Sequence, residues 1–217
     1  MEDFRGHFRD LHGHPDIVVA MKPAYKEGAE WLLAFFQSEI QRGVVFGDGQ
    51  TVQIGWMLVM LKNDQHQDLE IWEPRFDAFP IAWQRGADLT YRFLTMQREV
   101  CRQIGVEPEF PSLAFPAVMA PDFLTSTADF KMSREEHSAR DSGWFFGELD
   151  FDGTDAKYCS LFQISLGHML AIPFMALPPG AAVQCTKDRV EVFYGETSIS
   201  SDTNEFLARL RASPAFD

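Results

Sequence analysis

Six histidines and several short runs of carboxylates are the residues whose types and spacing could do chemistry. His7, His12 and His14 fall within HFRDLHGHPD, with Asp10 and Asp16 beside them. Two histidines two residues apart can reach one zinc or nickel ion from an extended segment. This segment lies at the start of the sequence and is interrupted by glycine and proline, so the reading is a loosely held polar arm over residues 1–15 in preference to a metal site. His137 and His168 have no partner at a recognised ligand spacing and read as capping or internally satisfied side chains. Cys101, Cys159 and Cys185 form no CxxC pair, which argues against a zinc knuckle or a disulfide framework. Cys101 and Cys159 join apolar segments, where a buried, unreactive thiol is the expectation.

The densest run of acids is RDSGWFFGELDFDGTD, residues 140–155, with Asp141, Glu148, Asp150, Asp152 and Asp155. DFDGTD has the look of a calcium loop, but counted from Asp150 the fifth position is Thr154, the sixth Asp155 and the twelfth Leu161. That register lacks the required glycine and the closing glutamate. Asp141 and Glu148 are a formal candidate for a general acid/base pair, the basis of an alternative reading as a carboxylate- or metal-dependent hydrolase. No Gly-x-Ser-x-Gly elbow occurs, and FGDGQT at 46–51 lacks the lysine of a phosphate loop and leads into a strand. No cofactor is expected.

The elements that must position these residues follow from pattern. PAYKEGAEWLLAFFQSEIQRG places Trp31, Leu32, Phe35, Phe36 and Ile40 near helical spacing between Pro23 and Gly43. TVQIGWMLVML and LEIWEP read as two antiparallel strands. DLTYRFLTMQREVCRQIGV is a second helix with Leu89, Phe93, Met96, Val100 and Ile104 on one face. The prolines of EPEFPS then suggest a boundary, giving an N-terminal α+β extension over 1–108 and a second α+β domain over 109–217.

In the second half, SLAFPAVMAP, FKMSREEH and GWFFGEL read as strands, and YCSLFQISLGHMLAIPFMAL as a helix of about three turns ending before Pro173. AAVQCT and RVEVFYG form a closing hairpin, followed by a short helix in NEFLARLRA. Strands and helices without regular alternation predict an α+β fold, mostly antiparallel sheet with flanking helices. The Gly-Trp pairs at 55–56 and 143–144 suggest a bulge or a close backbone approach.

The chain of 217 residues has 19 basic and 32 acidic residues, a formal net charge of −13, so nucleic acid and anionic membrane surfaces are unfavourable partners and a basic partner is favourable, the alternative being that the acidity serves solubility only. Its 20 phenylalanines point to aromatic core packing. The opening MEDFRGHFRD lacks the basic and apolar regions of a signal peptide, and no apolar stretch approaches the roughly 18 residues of a membrane span. The expected location is the cytoplasm, with free thiols.

DSGWFFG (141–147), the acidic loop after it, CSLFQI (159–164) and IPFMALPPGAAV (172–183) together resemble a bacterial domain of unknown function assigned to the immunity proteins of polymorphic-toxin systems. The signature residues of the resemblance are Asp141, Ser142, Gly143, Trp144, Pro178, Pro179 and Gly180. The family often has arginine after the tryptophan, where this chain has Phe145 and Phe146. The resemblance implies an interaction protein and not an enzyme: a cytoplasmic antidote that binds a cognate toxin, with a basic toxin fitting the acidic composition. Phe146, Glu148, Asp150, Asp152 and Asp155 are the expected contact residues, since an apolar anchor within an acidic rim is the composition an interface needs. Strand alternation turns some of the rings at 145, 146 and 151 inward, leaving one or two for a partner. A regulatory or scaffold module of the same fold is a further alternative.

Overall fold

The computed structural model describes residues 1–126, 129–136, 138 and 140–212, without the side chains of Leu11 and His12; His137 lies outside the described residues. The chain divides into two compact units, Met1–Leu94 and Thr95–Asp217. This division falls inside the second long helix and not at the EPEFPS prolines, where the sequence reading parts 1–108 from 109–217.

The first unit runs β1 (Glu2–Gly6), α1 (Arg9–His12), β2 (Ile17–Met21), α2 (Lys26–Gln41), β3 (Thr51–Ile54), β4 (Met57–Asn63), β5 (Leu69–Pro74), β6 (Trp83–Arg85) and the start of α3 (Asp88–Ile104). The strand order is β1-β2-β5-β4-β3 with β6 beside β5; β2 and β5 are parallel and the other pairs antiparallel. All five residues of β2 are buried, as a strand covered on both faces requires. The stripe of α2 that packs on the sheet is Ala29, Leu32, Phe36 and Ile40, meeting Ile17, Val19, Leu61 and Ile71. Trp31 and Phe35 fall beside that stripe and stack on each other with ring centroids 6.4 Å apart.

Two expectations for this unit are corrected. Residues 1–15 are not a loose arm: β1 pairs along its whole length with β2. Asp16 accepts the backbone N–H of Phe8 (2.8 Å) and of Arg9 (3.0 Å), and Asp68 binds both Arg5 and Arg9. Desolvation by burial raises the Asp68 pKa, but the hydrogen bonds from Arg5 and Arg9 outweigh it and hold that carboxyl below its ordinary value. TVQIGWMLVML is two strands, because Ile54 pairs with Met57 across a two-residue turn. Gly55 takes φ 59° at the first turn position, where a hairpin of this kind favours glycine.

Glu73, on β5, is 2% exposed and receives the N-terminus of α3: it accepts from Leu89 N (3.1 Å), Thr90 N (2.8 Å) and Thr90 Oγ1 (3.0 Å). The carboxylate thereby satisfies backbone donors that the first turn of a helix leaves open. Burial nevertheless pushes its pKa above the ordinary glutamate value.

The second unit continues α3 and adds β7 (Pro116–Met119), β8 (Phe130–Arg134), β9 (Trp144–Glu148), β10 (Lys157–Ser160), α4 (Leu161–Gly167), β11 (Ala181–Cys185), β12 (Val190–Tyr194), β13 (Thr197–Ser200) and α5 (Glu205–Ala212). The sheet order is β10-β7-β9-β8-β11-β12-β13, with β7 and β9 parallel and the other pairs antiparallel. The α+β architecture and the β11–β12 hairpin agree with the sequence reading. The single helix ending before Pro173 does not form. Ser160 and Gln163 make a capping box at the start of α4, the helix stops at His168, and Met169–Phe174 is a 3-10 turn that takes Pro173 inside it. β13 is an added strand, reached from β12 through a two-residue turn whose Gly195 has φ 56°. Among the described residues no helix is long and apolar enough to cross a membrane.

Candidate functional site

The stretch that opens β9 is a turn closed on itself. Asp141 accepts the Gly143 N–H at 2.9 Å, and Gly143 takes φ 72°. The buried Ser142 hydroxyl donates to the Pro116 carbonyl at 2.6 Å and accepts the Trp144 N–H at 3.2 Å. Trp144 is fully buried, its Nε1 donating to the Met175 carbonyl at 3.2 Å. Pro178–Ala181 forms the other turn, with Gly180 at φ 89° and its N–H donated to the Arg134 carbonyl at 2.7 Å.

Arg134 joins these two turns. It is 2% exposed, and its guanidinium donates to the carbonyls of Ser142 (3.0 Å), Glu109 (2.7 Å) and Leu177 (2.7 Å) and to Glu109 Oε1 at 3.1 Å. Three backbone carbonyls from three segments thus converge on one buried cation, a planar fork of donors suited to that task. Burial pulls its pKa below the ordinary arginine value. Sequence reading passed over Arg134. The signal available was the alternation of FKMSR, whose Phe130, Met132 and Arg134 all point inward.

After β9 the acidic loop folds back over its own strand. Phe151 lies on Gly147 so closely that a Cβ there would stand 2.5 Å from the ring. Phe151 N donates to the Glu148 carbonyl at 3.0 Å, and Lys131 Nζ to the Leu149 carbonyl at 2.9 Å. Asp152 accepts the Thr154 N–H at 2.9 Å, and the hydrogen bonds from Thr154 hold its carboxyl below the usual range. Asp150, Asp152 and Asp155 are exposed and Glu148 is half-buried. Gly147→Ala is expected to lift Phe151 and loosen the loop, at a cost of about 1–3 kcal/mol. Faster amide hydrogen exchange over residues 149–155 is the readout.

Phe146 cannot serve as the partner-facing ring. It is 1% exposed, packed between Trp144 and Phe123 with centroids 6.0 and 5.7 Å away. The turn at Gly143 sets the phase of β9 so that Trp144 and Phe146 face the core and Phe145, 36% exposed, faces out. Beside Phe145 a cleft of about 340 Å³ is lined by Phe151, Asp152, Glu135, Lys131 and Ser133.

The hydrolase residues do not assemble as a pair. Asp141 precedes β9 and Glu148 ends it, and at about 3.3 Å per strand residue the strand alone separates them by on the order of 13 Å. Paired carboxyls that share one bond to be cleaved sit at roughly 5–9.5 Å. The histidines are likewise dispersed. His7 is exposed and lies 3.3 Å from Asp16, whereas His14 is buried with Nε2 accepting Phe46 N at 2.9 Å and Nδ1 on the Pro15 carbonyl at 2.7 Å. His168 stacks on Phe123 at 4.0 Å, with Nε2 2.5 Å from the Phe123 carbonyl, and burial lowers its pKa. Among the described residues no three of His, Cys, Asp and Glu converge as a metal set. All three cysteines are buried; desolvation pushes Cys101 up to about 12 and Cys159 up to about 11, and raises Cys185 as well. Such thiols are poor nucleophiles at neutral pH.

No curated protein and no solved structure matches the chain. One family model does match: residues 96–195 are similar to the Imm33-like domain, an immunity-protein-like domain that spans most of the second unit.

Proposed function

We propose that the chain is a cytoplasmic immunity protein that binds a cognate protein toxin and blocks it by occupancy, without chemistry of its own. The observation that carries this reading is the similarity of residues 96–195 to the Imm33-like domain. The formal charge of −13 and the exposed carboxylates of Asp150, Asp152 and Asp155 support a basic toxin surface as the target. A field of this sign speeds encounter with a basic partner and weakens as salt screens it.

The test is co-expression with the toxin whose gene adjoins this chain's own: growth is restored by the chain and not by an empty vector. In purified form, replacing Glu148, Asp150, Asp152 and Asp155 with their amides is expected to slow association about tenfold at low salt and much less at high salt, with dissociation little changed. Association that is indifferent to both salt and these charges would show that the loop steers nothing.

A further inference from the structure

Strand register in the second unit lays one continuous row of outward side chains across six strands. Tyr158 on β10 pairs with Val118 on β7, which pairs with Phe145 on β9. Phe145 pairs with Ser133 on β8, Ser133 with Ala182 on β11, and Ala182 with Phe193 on β12. At about 4.8 Å between strands the row is roughly 24 Å long, the breadth of a protein–protein contact. Tyr158 is 74% and Phe145 36% exposed, and the other four are half-buried, while Trp144, Phe146, Met132, Val183 and Val192 on the opposite face are buried. Five of the six side chains are apolar or aromatic, Ser133 being the exception, and an exposed patch of that make-up with a polar margin marks an interaction site more often than a solvated face.

Charge around this row is acidic in balance, carboxylates outnumbering the lysines Lys131 and Lys157. Asp152 and the exposed Glu135, just past the end of β8, line the cleft beside Phe145, and Asp150 and Asp155 are exposed in the same loop as Asp152. Lys131 and Lys157 keep their charge while donating to the Leu149 (2.9 Å) and Pro121 (3.2 Å) carbonyls, and Arg189 is paired with Glu191 (2.8 Å) and Asp202 (3.2 Å). Resting on the immunity reading, we propose that this row is the seat of the toxin, and that the toxin presents an apolar centre ringed by lysine and arginine. Phe145 and Tyr158 are the anchors. The cleft beside Phe145 takes one basic side chain, its aliphatic stem against the Phe145 and Phe151 rings and its charged head toward Asp152 and Glu135, while Lys131 in the same lining is held on the Leu149 carbonyl.

The experiment measures the affinity of the full chain for an inactivated form of the toxin encoded beside it, by calorimetry. Phe145→Asp and Tyr158→Ala are each expected to weaken binding about tenfold or more. Phe79→Asp, which changes a 61% exposed ring in the first unit, is expected to leave it within threefold. Unchanged melting temperatures for Tyr158→Ala and Phe79→Asp keep the comparison free of misfolding. If the wild-type chain binds and both row variants bind equally well, the row is not the seat and the immunity reading stands. Failure of the wild-type chain to bind overturns both.

Discussion

Arg134→Met is expected to lower the unfolding free energy by about 3–5 kcal/mol, measured by urea denaturation. The guanidinium is the shared donor for the carbonyls of Ser142, Glu109 and Leu177, all at 3.0 Å or less. Methionine fills much of the volume but leaves buried acceptors without a donor, and each such group costs about 1–3 kcal/mol. Arg134→Lys is expected to lose nearly as much, since one ammonium cannot serve three divergent carbonyls in the plane that the fork occupies. Glu109→Gln separates the two roles of the site. Its carboxylate is 48% exposed, so removing that charge is expected to change stability by less than about 1 kcal/mol. A small effect of Arg134→Met, or a large one of Glu109→Gln, would refute this account of how the two turns are joined.

Glu73→Ala is expected to cost about 3 kcal/mol, because it strips the acceptor from two backbone N–H groups and the Thr90 hydroxyl at a helix start. The same residue predicts a pH dependence. Burial raises its native pKa above the ordinary value of 4.5, so the folded chain binds that proton more tightly than the unfolded one. This contribution to stability is fully present below about pH 4.5 and is lost as pH rises through the native pKa. Glu73→Gln removes the titration. The difference in unfolding free energy between wild type and Glu73→Gln is therefore expected to shift against the wild type as pH rises from the unfolded value. A difference that stays constant from pH 4 to 8 would show that Glu73 does not titrate in this way.

What the sequence makes legible is local. The α2 helix is bounded by Pro23 and Gly43, and the DSG and PPG turns carry their own backbone chemistry, so all three read correctly from a few residues. The N-terminal strand reads as an arm because its partners are distant: Asp68 lies some sixty residues from Arg5 and Arg9. The buried face of α2 runs through Ala29, Leu32, Phe36 and Ile40, whereas Trp31, a larger side chain that the sequence places with them, is left 36% exposed. The phase of β9 is settled by one glycine turn, and a shift of one residue exchanges Phe145 for Phe146 at the surface. Arg134 is the instructive omission, because an arginine in a strand reads as solvent-facing unless the period-two pattern is followed through it. The row from Tyr158 to Phe193 is legible only from register, which pairs Ser133 with Ala182, 49 residues on, and Val118 with Tyr158, 40 residues on.

The Phe151 ring on Gly147 has a bearing on the entropy of association. Four carboxylates within eight residues repel one another and favour a spread, disordered loop, and a disordered loop must surrender its freedom when a partner arrives. With the ring seated on the strand and the Glu148, Asp152 and Lys131 hydrogen bonds around it, the acids stand in fixed places before any encounter. A partner would meet a preset charge pattern and lose little affinity to ordering it. Gly147→Ala, which leaves every charge in place, is then expected to weaken partner binding by loosening that pattern and the Phe151 wall of the cleft together.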